Sequence, residues 1–353
     1  MKKSLFALLA VCSAMSVSAQ DSTRLLPVGF KLSGSADVYY KYNLNENATD
    51  GKTSFTNTHN SFELNMISLK LESSFKNVGL VADLGFGKRA EDFSYNDDRT
   101  RFAIKQLYIS YAPASWLKFT MGSYSTHVGY ELVDAYANRN YSMSYMFSYG
   151  PFFHTGVKAD MTFGSHNFMV GVFNPTDFKS AAGWGGIKYV GAQYGFAPAE
   201  VPFKFYLNYI GGIDTLKTRN DQLDAVITYQ VSPKFSLGYN GTVSMYKNKP
   251  DDTKGNWFGS ALYLSYDPVE SFGLTLRGEY LSDKDGKKFY SLAEYPEGGN
   301  VFALTLSGQY KIGGFTLIPE VRMDMASEDA FMKKAETPKS NSANVLLAAI
   351  YKF

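Results

Sequence analysis

The chain has 353 residues and a formal net charge of +2, with 35 Lys and Arg against 33 Asp and Glu, which gives no reason to expect nucleic acid as a partner. Aromatic residues make up 16% of it, with 27 Phe and 26 Tyr beside only 3 Trp, and there are 31 Gly. A mean hydropathy of −0.21 excludes a helical membrane protein but not a β-barrel, whose strands are apolar on one face only.

In chain order, Lys2 and Lys3 precede an apolar stretch from about Ser4 to Val17, and the small residues Val17-Ser18-Ala19 lead to Gln20. This layout predicts a secretory signal peptide cleaved after Ala19, leaving residues 20–353 as one domain. Cys12 is the only cysteine and leaves with it, so no disulfide, thiolate metal site or cysteine nucleophile is expected. A lipid anchor on Cys12 fits poorly, because the residue lies inside the apolar core behind a bulky Val11. A soluble secreted protein and an outer-membrane barrel both pass these tests.

Sixteen runs of period-2 alternation follow, centred near residues 35, 67, 82, 107, 120, 158, 170, 191, 207, 225, 240, 262, 276, 305, 320 and 347. Those near 170 and 191 are the weakest, so fourteen or eighteen strands stay open. In one run Phe302, Leu304, Leu306, Gly308 and Tyr310 oppose Ala303, Thr305, Ser307, Gln309 and Lys311. In the next, Phe315, Leu317, Pro319, Val321 and Met323 oppose Thr316, Glu320, Arg322 and Asp324. Short links lie at 76–77, 113–115, 164–165, 232–234, 267–271 and 313–314. Long polar links fall between them, at about 43–58, 88–100, 126–150, 175–184, 213–220, 247–256, 282–299 and 326–342. A soluble sandwich has no reason to alternate its loop lengths in this way. The expected fold is therefore all-β, a transmembrane antiparallel barrel of about sixteen strands with short periplasmic turns and long extracellular loops, set in outer-membrane lipid. At the end of the chain Val345, Leu347, Ala349, Tyr351 and Phe353 share one apolar face. This resembles the closing-strand signature that the barrel assembly machinery recognises, which makes Tyr351 and Phe353 the expected assembly signal.

Residues 119–159, FTMGSYSTHVGYELVDAYANRNYSMSYMFSYGPFFHTGVKA, carry a sharper pattern. A strand ends near Gly122, Gly129-Tyr130-Glu131 and an Asn-rich loop at Asn138 and Asn140 follow, and Pro151 to Gly156 re-enter the sheet. Together with Gly171-Val172-Phe173-Asn174 and Asp177, this stretch resembles the central signature of the OmpL-like β-barrel porins. The resemblance implies a passive channel of the Gram-negative outer membrane and brings no catalytic residues with it. A homotrimer is expected only by analogy with other sixteen-stranded porins, and the natural solute is not legible.

Segment 126–150 is the longest link. By fold analogy it is expected to fold inward, with Glu131, Asp134 and Arg139 as candidate constriction residues; an ordered cap over the barrel mouth is the alternative. Alternation turns Lys31, Asp37, Lys41, Lys118, Lys158, Asp160, Lys204, Asp224, Arg277, Glu279, Lys311, Glu320, Arg322 and Asp324 toward the lumen. Their signs are interspersed, so weak charge selectivity is expected; the alternative is that they solvate and cross-brace the wall. His59, His127, His154 and His166 lack metal-ligand spacing. Asp283-Lys284-Asp285-Gly286 and Asp251-Asp252 lack the remaining ligands of a calcium loop and read as solvated charges. Neither a metal nor a cofactor is expected. Trp116, Trp184 and Trp257 sit near run ends, as interfacial anchors do. Two rival functions remain: an outer-membrane hydrolase, for which no G-x-S-x-G stands out, and a surface binding or adhesion protein anchored by the barrel.

Overall fold

The computed structural model describes residues 29–97, 99–183 and 185–353; the expected signal peptide, its cleavage site and Trp184 lie outside the described residues. The first eight barrel strands are β1 (Phe30–Asn43), β2 (Ser61–Phe75), β3 (Val78–Phe86), β4 (Ile104–Ala114), β5 (Leu117–Ser125), β6 (Phe153–Phe163), β7 (His166–Phe173) and β8 (Tyr189–Phe196). The next seven are β9 (Phe203–Ile213), β10 (Thr218–Ser232), β11 (Phe235–Asn248), β12 (Lys254–Val269), β13 (Phe272–Asp283), β14 (Gly299–Ile312) and β15 (Phe315–Ala326). A small hairpin of β16 (Phe331–Lys333) and β17 (Thr337–Lys339) stands apart in the last long loop before β18 (Asn341–Lys352). Neighbours pair antiparallel, and β18 returns to β1 in register from Ser35↔Lys352 to Asn43↔Asn344, closing a barrel of sixteen strands. Closure matters because a free sheet edge in lipid would leave its N–H and C=O groups without partners.

All sixteen predicted centres fall in barrel strands; the two weakest runs became the shortest, β7 and β8, with eight residues each. Period 2 sorts the side chains as a membrane requires. On β12 the outward Phe258 and Leu262 are exposed while the inward Ala261 and Tyr263 are buried, and Val170 and Val172 on β7 likewise face out. So much exposed apolar surface around the wall is stable against lipid and not against water. Pro113 and Pro268, which cannot donate to the ladder, sit within register shifts of β4–β5 and β12–β13 beside short turns. Phe353 closes the sheet by exchanging backbone hydrogen bonds of 3.0 Å with Gly34, and a Cβ on Gly34 would lie 2.6 Å from its ring. Tyr351 and Phe353 both point outward and are exposed.

Three expectations are corrected. The long links at 213–220 and 247–256 are tight turns, because β10, β11 and β12 run for 15, 14 and 16 residues. Their polar residues belong to the ladder, where Arg219 pairs with Lys247. Trp257 is no interfacial anchor; it points inward and is buried, whereas Trp116, half-exposed and stacked on Phe163, keeps an interfacial position.

Candidate functional site

Segment 126–150 leaves the end of β5 and runs through the inside of the barrel. Near its start His127 Nε2 lies 2.9 Å from the Tyr209 carbonyl on β9, and Gly129 N–H donates to Asp224 on β10 at 3.0 Å. It then crosses to the opposite wall, where Gln309 on β14 donates to the carbonyls of Asn138 and Arg139. Arg139 forks onto Asp267 at 2.7 and 2.5 Å, beside a short turn. The segment thus reaches from the long-loop rim nearly to the other one. On the return Tyr141 O–H donates to Asp37 on β1 at 2.5 Å and accepts from Asn65 on β2 at 2.8 Å. The chain climbs through the short helix at Tyr145–Tyr149, capped by Ser144, whose hydroxyl accepts the Phe147 N–H at 3.1 Å.

Inside a barrel the backbone of such a segment has no ladder to join, so the wall side chains supply its partners. Glu320 accepts the N–H groups of Tyr141 and Ser142 at 2.7 and 3.1 Å, and Glu279 accepts that of Tyr145 at 2.7 Å. Arg277 donates to the carbonyls of Ser142 and Met143, and Arg322 to that of Met143. The charges also pair with one another: Arg277 with Glu131 and Glu279, and Arg322 with Glu279 and Asp324. On the other side Lys105 holds Asp83 and Asp134, at 3.2 and 2.6 Å. Opposite charges and charge-assisted hydrogen bonds offset the cost of taking these groups out of water.

The expected lumen charges therefore divide. Arg277, Glu279, Glu320, Arg322 and Asp324 are buried, as are Asp37, Lys41 and Asp224. Glu131 is buried too, and Asp134 and Arg139 are committed to Lys105 and Asp267. None of these three candidate constriction residues offers a free charge to a pore; they brace the segment. Lys31, Lys118, Lys158, Asp160, Lys204 and Lys311 also face inward but touch water, with Asp160 shared between Lys158 at 3.0 Å and Lys118 at 3.9 Å. The lumen toward the short-turn rim, along β5 to β9, is thus wet.

On the long-loop side a cavity of about 850 Å³ opens between the loops, lined by Tyr149, Phe152, Tyr246, Trp257, Lys287 and Lys288 among others. Adjoining it, and sharing Gly150, Pro151 and Gln222 with it, lies a small cavity of about 10 Å³, room for about one water. It lies between the segment, at Gly129, Met146 and Phe147, and a wall of Gln222, Asp224, Asn240 and Thr242. The Asp224 carboxylate accepts from Asn208 and Asn240 as well as Gly129, so it anchors the segment there. Alternation places Asp224, Asn240 and Thr242 of this wall on the lumen face; sequence reasoning did not single out Gln222 or foresee that the segment packs against them.

No group of three potential metal ligands occurs among the described residues. The His127 and His154 rings lie 4.9 Å apart at a tilt, with His154 stacked on Phe173, and a Cβ on Gly191 would lie 2.9 Å from the His127 ring. Burial pushes His127 down to about 4, so it stays neutral and docks the segment. Asp283 is corrected: it is buried, not solvated, and accepts the N–H groups of Lys287, Lys288, Phe289 and Tyr290 at 2.8 to 3.0 Å.

Asp177 ties three loops together, accepting the N–H groups of Phe152 and Phe153 at 2.7 and 3.0 Å and the Tyr95 hydroxyl at 3.1 Å. Burial outweighs these bonds and raises its carboxyl to about 6. The folded loops then bind a proton more tightly than the unfolded chain. Their assembly gains stability as pH falls through about 6 toward 4, by up to about 3 kcal/mol. Protection of the Phe152 and Phe153 amides against hydrogen exchange, corrected for intrinsic rates, should rise between pH 7 and pH 5. Asp177→Asn should flatten the profile; a fall in protection would contradict this origin.

A closed sixteen-stranded barrel with its longest loop folded through the lumen has the architecture of an outer-membrane porin. A family model described as "Putative beta-barrel porin-2, OmpL-like" matches residues 29–353, and the chain belongs to that family. The anion-selective porin from Comamonas acidovorans is similar in structure, with a TM-score of 0.65 at 10% identity over 92% of this chain and 99% of that one. The outer membrane channel DcaP of Acinetobacter baumannii gives 0.63 at 12% identity, over 92% and 97%. OprB of Pseudomonas putida gives 0.61 at 10% identity, over 92% and 94%. At such identities the likeness speaks for the fold. A comparison with curated proteins finds no match.

Proposed function

We propose that this porin is a passive diffusion channel for small polar solutes and ions, constricted by segment 126–150, with weak charge selectivity that leans toward anions. The observation that carries this is the docking of the segment on both walls of the lumen, with backbone amides held by Glu320, Glu279 and Asp224. A solute would enter the long-loop cavity, pass a neck between the segment and β10 and β11 that opens as the segment shifts, and leave through the wet lumen beside β5 to β9. Pairing cancels most of the buried charge, and the inward residues left facing water are mainly lysines, hence the lean. The long loops face outward and the short turns the periplasm; the mature chain starts at Gln20; Tyr351 and Phe353 serve barrel assembly, and a homotrimer is its assembled form. We read the chain as a channel and not a hydrolase: the Thr126 hydroxyl does meet His154 Nε2, but that ring is buried against Phe173 and its Nδ1 has no acceptor to orient it as a base, while His127 Nε2 is taken by the Tyr209 carbonyl. Planar-bilayer recordings on refolded residues 20–353 should show stepwise, ohmic openings of low conductance. Under a KCl gradient the reversal potential should lie modestly toward that of chloride. A folded barrel that never conducts, or one strongly selective for cations, would overturn the reading.

A further inference from the structure

The long-loop cavity is too large and too aromatic to be only an entrance, and its charges are unevenly engaged. Its carboxylates are already taken within the fold. Asp92 holds Lys88 and the Phe55 N–H, Asp177 the two amides and Tyr95, Asp214 the N–H groups of Leu216 and Thr218, and Asp221 the fork of Arg219. Lys52, Lys287 and Lys288 line the same cavity and have no carboxylate partner among the described residues. The Lys287 ammonium lies 4.1 Å from the centre of the Tyr246 ring, and that of Lys288 lies 5.9 Å from Trp257. Both lysines sit on backbone fixed by Asp283, a buried carboxylate that accepts four successive N–H groups. Two adjacent cations are thus held toward the cavity before any ligand arrives, which reduces the ordering cost of binding. Lys288 is exposed toward the cavity, and desolvation by the surrounding loops lowers its pKa below the ordinary lysine range, outweighing the attraction of Asp177 and Asp283, neither of which pairs with it directly.

We infer that this cavity is a binding site for small organic anions, with Lys287 and Lys288 holding a carboxylate or phosphate while Tyr149 and Tyr246 take a flat apolar body. A cavity of about 850 Å³ is in the range of small-molecule sites, and an inorganic ion would leave most of it to water. A ring filling it would bury aromatic surface and stack, adding to the charge attraction. For its purpose, the concentration of anionic solutes above the neck, the inference rests on the channel reading; binding itself can be measured without conduction.

The test is calorimetric titration of refolded residues 20–353 in detergent with phenyl phosphate, inorganic phosphate and phenol. Phenyl phosphate should bind at one saturable site, about tenfold or more tighter than inorganic phosphate, an advantage of about 1.4 kcal/mol, and phenol should give no saturable heat. The double variant K287Q/K288Q should weaken phenyl phosphate about tenfold or more, with each single variant intermediate. Asp283 grips backbone groups, so these changes leave the loop in place, and an unaltered circular dichroism spectrum checks it. No saturable binding, or equal binding by the double variant, overturns the inference. Equal affinity for inorganic and phenyl phosphate overturns its aromatic half. Phenyl phosphate binding in a barrel that does not conduct supports this site while refuting the channel.

Discussion

Deleting residues 130–142 is expected to raise single-channel conductance several-fold and to lower its dependence on solute size. The deleted stretch carries the descent along the lumen and the contacts with Asp267, Gln309 and Asp37. Without it the lumen widens toward the bare diameter of a sixteen-stranded barrel, which is wide enough for an aqueous channel. The barrel should survive, because its strands are held by ladder hydrogen bonds that do not involve the segment. Arg277, Glu279, Arg322 and Asp324 can still pair with one another, and entering water solvates what the segment leaves behind. Recordings on the refolded deletion variant, with neutral polymers of graded size as blockers, read both effects. Unchanged conductance would mean that the segment is an ordered cap and not a constriction.

The barrel was legible in the sequence because a membrane wall imposes period 2 on every strand, and the closing residues carry it to Phe353. What failed at the boundaries had a physical cause. Arg219, Asn220 and Lys247 read as loop because they are polar on both faces of a run, yet the hairpins of β10 to β12 continue beyond the apolar band, where a two-faced polar ladder costs nothing. Trp257 read as an anchor because position near a run end carries no information on which face the ring takes. The site was legible only in outline. Length, aromatic content and the resemblance singled out segment 126–150. No local pattern, however, links Glu320 to the N–H of Tyr141, 179 residues away in the chain. Alternation could turn Arg277 or Glu279 inward but could not tell a water-facing charge from one capped by a backbone packed onto it. Asp283 was misjudged for the same reason: a carboxylate in a polar loop looks solvated until the chain is seen to wrap four amides around it.

The largest single-residue effect is expected at Arg277. Its guanidinium is buried and divides its donors among Glu131 at 2.7 Å, Glu279 at 3.1 Å, the carbonyls of Ser142 and Met143, and the Thr305 hydroxyl. Arg277→Met keeps much of the volume but strands Glu131 as a buried charge and leaves the Ser142 carbonyl without its donor and that of Met143 with Arg322 alone. Breaking a buried pair in this way costs about 3–5 kcal/mol. The cost falls on the docked segment and not on the ladder, so the barrel stays closed while residues 131–145 come loose. Tyr141 and Tyr145 are fully buried in the parent protein and should resist chymotrypsin; in Arg277→Met they should be cut, and bilayer recordings should flicker where the parent is quiet. Arg277→Lys should recover little, because an ammonium cannot reach the five acceptors that the guanidinium fork spans. Adding Glu131→Gln to Arg277→Met should restore part of the protease resistance by removing the stranded charge, a coupling that a loss of packing volume alone would not produce. A single variant as resistant and as quiet as the parent would show that the segment is held by its aromatic packing, with the charges as bystanders.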